Sequence, residues 1–295
     1  MTSVSDPDQR KHNLTGSLWM IGSMAGFAIE DSLIKLATRS IPIGEVLILF
    51  GLGGMLIYSG ILRFKGESVF HPDVLSRPMI IRFGFEITGR LFYTLAIALI
   101  PLSVATVILQ ATPLVVVACA VVVFGEKVGW RRWAAIFIGL VGVIVIVQPG
   151  AGGFSNLTVL AIVGMLGFAG RDLASRIAPR TISTAHLGVY GFLAIVVAGI
   201  VYSIWANTPL VMPDGKTALF VIGATVFGVF GYSCLMKAMK TGEVSAVTPF
   251  RYTRLLFGVA LGLLLFGESL TPAMVFGSIL IVVSGLFIVW RGKRV

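Results

Sequence analysis

Eight charged residues that could bind a polar solute, or bind one another, lie deep inside long apolar stretches of the sequence. Four are carboxylates and four are guanidinium groups: Glu30, Asp31, Glu86, Asp172, Arg90, Arg171, Arg251 and Arg254. A charge placed deep in a membrane helix costs about 3 kcal/mol, so these groups need partners or a polar pocket. Their equal numbers allow complete mutual neutralisation, and the same groups could hold the carboxylate and ammonium of a zwitterion.

Uncharged polar residues extend this candidate set. Glu86, Arg90 and Tyr93 have the spacing i, i+4 and i+7, which puts them on one face of a helix. The same spacing would let Glu86 and Arg90 pair along their own helix without touching a solute. For the tyrosines, the alternative is ordinary packing with a hydroxyl bonded to a neighbour. The uncharged members of the predicted cavity set are Tyr93, Gln110, Thr112, Tyr232 and Tyr252.

The composition indicates an all-α membrane protein. Hydrophobic residues make up 57% of the chain and charged residues 12%, with a mean hydropathy of +0.97, which leaves too few polar side chains to cover a soluble globule. The apolar runs have about the 20 residues that a membrane helix requires and lack the alternation of barrel strands. We number ten such runs as spans 1 to 10: 14–37, 43–63, 78–100, 102–125, 130–148, 156–177, 185–205, 216–239, 244–266 and 272–290.

An internal repeat organises the spans. Residues 24–40 return as residues 165–181, with Gly-Phe-Ala-x-x-Asp in both blocks. Residues 103–126 align with residues 245–268 at nearly the same offset, and both blocks end in Phe-Gly-Glu. Two blocks at nearly one offset indicate a tandem duplication. The predicted units are an N-terminal tail 1–13, a first five-span repeat 14–148, a second five-span repeat 156–290 and a C-terminal tail 291–295.

The odd number of spans in each repeat predicts that the second repeat is inverted relative to the first. Two such repeats enclose a central cavity in many secondary transporters and open it to each side in turn. Basic residues, Arg82 among them, concentrate at alternate loops and helix ends, whereas the opposite loops carry only Arg39 and Lys216. By the positive-inside rule, both termini and the loop 64–77 are predicted to be cytoplasmic. Span 1 is too long for a cleaved signal peptide and is expected to remain.

The repeat also separates shared residues from residues that differ between the copies. Shared residues are expected to serve packing or gating, because both halves need the same parts. The acid-to-base pairs predicted to be gates or helix supports are Asp31–Lys35 and Asp172–Arg176, both spaced i, i+4. Glu126 and Glu268, which end the Phe-Gly-Glu motifs, are predicted to contact helix ends. Differing positions, such as Glu30 opposite Arg171, are the better candidates for solute binding.

The ten spans, the five-plus-five duplication, the Gly-Phe-Ala-x-x-Asp blocks and the two Phe-Gly-Glu motifs together resemble the drug/metabolite transporter superfamily. Within it the sequence is similar to EamA-type permeases, above all to bacterial amino-acid exporters, including the aromatic amino-acid exporters. The resemblance covers essentially the whole chain. It implies a central cavity built chiefly from spans 1, 3, 4, 6, 8 and 9 and export of small metabolites from the cytoplasm.

The sequence therefore predicts a secondary transporter of the plasma membrane, in bacteria the inner membrane, that exports amino acids or related small metabolites by alternating access. Aromatic or other neutral amino acids suit the charges and the aromatic side chains. Two alternatives stay open: the same mechanism with drugs, purines or sugar derivatives as cargo, and a facilitative channel. The expected partners are the solute and the lipid bilayer. Gly-rich spans 5 and 10 suit close helix packing or a homodimer contact, and without that contact the chain is expected to be a monomer.

Other classes of function lack their sequence signals. The net charge of +10 is sorted by loop and forms no basic patch, so no nucleic-acid partner is expected. The sequence has neither an interfacial cluster of metal ligands nor a Gly-x-x-x-x-Gly-Lys-Ser/Thr loop, which argues against a membrane-embedded enzyme and against ATP hydrolysis. No cofactor or metal is predicted. His12, His71 and His186 match no metal-ligand spacing and are predicted to be surface residues.

Overall fold

The polypeptide is helical throughout the part that the structure describes. The computed structural model describes residues 7–124, 129–147, 156–179, 181–241 and 247–292. Within these ranges the regular elements are α-helices and short 3-10 helices, with no β-strand. This confirms the predicted all-α class, which follows from apolar runs of helical length without alternation.

The helices coincide with the apolar runs. The first half contains α1 (Pro7–Ala37), α2 (Ile43–Phe64), α3 (Arg77–Leu99), α4 (Leu102–Leu109), α5 (Thr112–Phe124) and α6 (Trp130–Val147). The second half contains α7 (Thr158–Arg176), α8 (Thr184–Ala206), α9 (Gly215–Thr241), α10 (Thr253–Phe266) and α11 (Pro272–Gly292). Two 3-10 helices cover Pro72–Leu75 and Thr248–Tyr252. The described part of α1 begins at Pro7, before the apolar run that starts at residue 14, and proline is a residue type that the first helical turn tolerates.

Proline interrupts spans 4 and 9. Pro113 has no N–H to donate to the Leu109 carbonyl, and span 4 divides there into α4 and α5. The Thr112 hydroxyl donates to that carbonyl instead, with 2.5 Å between the two oxygens. In span 9, Pro249 lies in the 3-10 helix that precedes α10. The predicted disruption at Pro113 is confirmed, and span 9 reaches α10 through a short non-α segment.

Among the described residues, five helical segments can cross a membrane by length and composition: Ile43–Phe64, Leu102–Val123, Thr158–Ser175, Thr184–Ala206 and Gly215–Met239. Two shorter apolar segments cover Trp133–Ile146 and Pro272–Phe287. α1 and α3 carry many of the charged residues, which lowers their mean hydropathy. Crossing by all ten spans therefore stays a prediction.

The main helix contacts join the two halves of the chain. α1 packs on α9, α2 on α8, α3 on α7 and α6 on α11, while α4 packs on α10. Each of these pairs takes one helix from residues 7–147 and one from residues 158–292. The halves therefore share one apolar core.

Glycines allow several of these pairs to approach closely. A Cβ atom added to Gly167 on α7 would lie 2.5 Å from Gly89 Cα on α3, and one added to Gly26 on α1 would lie 3.2 Å from the Cα of a glycine on α9. A Cβ atom added to Gly142 on α6 would lie 2.8 Å from Gly277 O on α11. The glycines of spans 5 and 10 thus serve packing inside the chain. A homodimer through these spans stays a prediction.

The bundle has two ends, which we name after one residue of each. At the His186 end, the loop 65–76 folds over the start of α8, and Ser68 O lies 2.8 Å from His186 Nε2. His186 is 4% exposed, so its prediction as a surface residue was wrong. The Glu268 end contains the turns 38–42, 100–101, 207–214 and 267–271.

Candidate functional site

A first group of charged residues, which we call the Glu30 network, joins α1, α3 and α10. Arg90 Nη1 lies 2.8 Å from Glu30 Oε1, and Arg254 Nη2 lies 2.6 Å from Asp31 Oδ2. The Tyr93 hydroxyl also donates to Asp31 Oδ2 over 3.1 Å. Glu30 and Asp31 are each only 1% exposed. In this network, each carboxylate has its own arginine.

Aromatic rings support the arginines of the Glu30 network. The Arg90 guanidinium carbon lies 5.1 Å from the centre of the Phe50 ring, and that of Arg254 lies 5.2 Å from the centre of the Phe27 ring. A cation over a ring face is stabilised by the ring quadrupole. Phe27, a residue of the Gly-Phe-Ala-x-x-Asp block that both repeats share, therefore contacts a charged side chain.

A second group, which we call the Arg251 network, joins α3, α7 and the 3-10 helix Thr248–Tyr252. Glu86 lies between two arginines, with Arg82 at 3.3 Å and Arg171 at 3.2 Å. Arg171 also donates two hydrogen bonds to Asp172 Oδ1, from Nε at 3.0 Å and from Nη2 at 2.9 Å. Arg251 Nη2 lies 3.8 Å from the other carboxylate oxygen, Asp172 Oδ2. Carboxylates in this network are shared between arginines.

Arg82 is the buried site residue that the sequence prediction missed. It was assigned to the cytoplasmic helix ends, but it is only 5% exposed and its Nε donates to Ser175 Oγ over 3.0 Å. The signal was available, because Arg82 precedes Glu86 by four residues, the spacing of a helical ion pair. With Arg82, the two networks contain five arginines for four carboxylates: Arg82, Arg90, Arg171, Arg251 and Arg254 for Glu30, Asp31, Glu86 and Asp172.

Two of the pairs proposed from helical spacing, Glu86–Arg90 and Asp31–Lys35, do not form. Glu86 binds two other arginines and Arg90 binds Glu30, so Glu86 and Arg90 do not pair with each other. The pair Asp31–Lys35 is also wrong as a contact, because Asp31 binds Arg254 and Tyr93. Of the pair Asp172–Arg176, Asp172 binds Arg171 and Arg251, while the Arg176 side chain lies outside the described residues.

Lys35 and Glu268 instead hold one turn at the Glu268 end. Lys35 Nζ donates to Ile97 O at 2.7 Å and to Ile100 O at 2.6 Å, where α3 ends. Glu268 accepts from Leu102 N at 2.6 Å, and from the backbone and hydroxyl of Ser103, where α4 begins. A lysine thus meets the carbonyl end of one helix and a carboxylate the amide end of the next. We call this arrangement the Glu268 clasp.

The clasp decides one prediction about the Phe-Gly-Glu motifs. Glu268 contacts a helix end, as predicted, although that end belongs to the other half of the chain. Glu126 lies outside the described residues.

The uncharged candidates occupy different environments. Gln110 Nε2 donates to Arg251 O over 3.1 Å and so supports the backbone of span 9. Thr112 uses its hydroxyl on the break in span 4. Tyr252 is buried, and its ring packs on Gly285 of α11. Tyr232 stacks edge-on against the ring of Tyr58 on α2.

Comparison with known proteins identifies the kind of molecule that contains these networks. The model of the EamA-like transporter family matches residues 14–148 and 157–290. The chain belongs to the EamA-like transporter family. It is a membrane transporter family, which confirms the prediction that the protein is not an enzyme.

The transporter is similar to proteins with different cargoes. The S-adenosylmethionine uptake transporter of Rickettsia prowazekii is 24% identical over 97% of this chain and 96% of that protein. The riboflavin transporter of Vibrio cholerae is 25% identical over 97% and 96%. The pseudopaline exporter CntI of Pseudomonas aeruginosa is 26% identical over 92% and 94%. A solved crystal structure shares the fold, with a TM-score of 0.62 and 20% identity over 91% of this chain and 98% of that chain.

Proposed function

We propose that the transporter carries amino acids or related small zwitterions across the bacterial inner membrane by alternating access, and that it exports them. The observation that carries this proposal is the pair of networks, which offers buried arginines and carboxylates on helices from both halves of the chain. A zwitterion needs both signs of charge at short range, and an apolar side chain suits the neighbouring rings.

Contacts that recur between the halves support the inverted five-span repeats 14–148 and 156–290. The close crossing of α1 with α9 at Gly26 is the counterpart of the crossing of α7 with α3 at Gly167. The ion pairs do not follow this symmetry, because the equivalent residues Asp31 and Asp172 both bind arginines of span 9. A symmetric frame with an asymmetric set of charges is what a site on a pseudo-two-fold axis requires.

The orientation follows from the basic residues. Arg63, Lys65 and Arg77 lie at or beside the loop 65–76, so we assign the His186 end and both termini to the cytoplasm. The Glu268 clasp then closes the outer end. In this proposal Lys35 and Glu268 form the outer gate, whereas Asp31 and Asp172 couple span 9 to the two halves.

The decisive experiment is counterflow in proteoliposomes loaded with one unlabelled amino acid from a panel of the twenty protein amino acids. Uptake of the labelled amino acid above its equilibrium level would support a carrier, because an open channel cannot exchange solute in this way. Absence of counterflow with every amino acid would overturn the proposed cargo. Liposomes without protein and liposomes with heat-denatured protein serve as controls.

A second candidate cargo comes from the relatives. S-adenosylmethionine and riboflavin, which are named for similar proteins, belong in the same panel. Counterflow of riboflavin but of no amino acid would favour this alternative. Because the named relatives include both an uptake transporter and an exporter, the direction is tested separately, by efflux from loaded cells that express the transporter.

A further inference from the structure

Arg251 differs from the other arginines of the two networks in exposure. Its side chain is 33% exposed, against 24% for Arg171, 16% for Arg254, 13% for Arg90 and 6% for Arg82. It also has the longest ion pair of the five, with 3.8 Å to Asp172. Arg251 is therefore the arginine that a solute can reach with the least rearrangement.

The partner of Arg251 does not depend on it. Asp172 Oδ1 already accepts two hydrogen bonds from Arg171, and Arg251 faces only Oδ2. Removing Arg254 from Asp31, in contrast, would leave a fully buried carboxylate without its arginine, which is costly. Within the two described networks, only the Asp172–Arg251 pair combines the most exposed arginine with an acid that keeps a second, hydrogen-bonded arginine.

We propose that the zwitterionic solute inserts between Arg251 and Asp172, with its carboxylate on the Arg251 guanidinium and its ammonium on Asp172 Oδ2. The proposal rests on the proposed function and assigns the two charged ends of the cargo to atoms. The solute replaces one loose ion pair by two, so both charges of the site are paired in the free state and in the bound state. Gln110 holds the Arg251 carbonyl at 3.1 Å, which keeps the backbone in place while the side chain turns.

The test compares L-phenylalanine with L-phenylalaninamide, which lacks the carboxylate, and with 3-phenylpropionate, which lacks the ammonium. Each compound is measured as a competitor of amino-acid counterflow. If another amino acid gives stronger counterflow than phenylalanine, that amino acid, its amide and its deaminated acid replace these three compounds. In the unchanged transporter, both analogues are expected to compete at least tenfold more weakly than the amino acid. In Arg251→Gln, competition by the amino acid is expected to weaken to the level of its amide, while competition by the amide stays unchanged. In Asp172→Asn, competition by the amino acid is expected to weaken to the level of the deaminated acid.

Arg63→Gln, at an exposed arginine outside both networks and outside the Glu268 clasp, serves as the matched control and is expected to leave all three values unchanged. Arg251→Lys is expected to recover part of the discrimination, because lysine restores the charge without the planar fork. If Arg251→Gln weakens competition by the amino acid and by the amide equally, or changes neither, the assignment is overturned while amino-acid transport itself stands. If the unchanged transporter shows no amino-acid counterflow, the proposed function fails first.

Discussion

The Glu30 network and the Arg251 network contain the same residue types but differ in pairing and exposure. Glu30 and Asp31 are almost fully buried, and each is matched to one arginine. Asp172 and Arg171 are both 24% exposed, and the acids of that network are shared. Matched buried pairs hold helices together, whereas shared and exposed pairs can exchange partners. The difference suggests support for the first network and solute exchange for the second.

The largest effect is expected from Glu30→Gln. The change leaves Arg90 without its acid in a buried position, and breaking such a pair costs about 3–5 kcal/mol of unfolding free energy. Thermal unfolding of the purified transporter in detergent measures the loss. The double variant Glu30→Gln with Arg90→Gln is expected to recover part of it. A single variant as stable as the unchanged protein would remove the supporting role of this network.

A smaller difference is expected between the equivalent aspartates. Asp31→Asn should destabilise the transporter by at least about 1 kcal/mol more than Asp172→Asn, because partly exposed ion pairs contribute only about 0–1 kcal/mol. Asp31 is also nearly unexposed, whereas Asp172 is 24% exposed. The same unfolding experiment compares them. Equal losses would mean that the two networks do not differ in the way their exposure indicates.

Breaking the Glu268 clasp is expected to open the outer end of the bundle and to expose residues between the two networks and that end. In a background without Cys119 and Cys234, labelling of Thr94→Cys by an impermeant maleimide from outside is expected to increase about tenfold in Glu268→Gln. A tenfold shift corresponds to about 1.4 kcal/mol, within the range of a few charge-assisted hydrogen bonds. Glu67→Gln, a carboxylate change at the His186 end, is the matched control. Unchanged labelling would place the outer gate elsewhere.

The smallest effect on stability is expected from Arg251→Gln. Its pair with Asp172 is long and partly exposed, so the unfolding free energy should fall by less than about 1 kcal/mol. The apparent affinity for amino acids should nevertheless fall to that for their amides. A loss of stability as large as that in Glu30→Gln would assign Arg251 to structural support.

The sequence by itself determined the helices, the duplication and most of the charged set. Apolar length and the lack of alternation predict the helices, and Pro113 predicts the break in span 4, because these are local properties of the chain. The charge cost inside a membrane marks Glu30, Asp31 and the arginines as residues that need partners. The resemblance to the transporter superfamily also followed from the number and order of the spans and from the repeated short motifs.

Only the tertiary structure decided which residues are partners. Helical spacing favoured the pairs Glu86–Arg90 and Asp31–Lys35. A charged side chain on a buried helix also faces several neighbouring helices, however, and here the acids bind arginines on those helices. Glu86 therefore binds Arg171 on α7 as well as Arg82 on its own helix, and Asp31 binds Arg254 on α10. The physical reason is reach: arginine spans the gap between packed helices, and glycine crossings bring those helices close enough for it to do so.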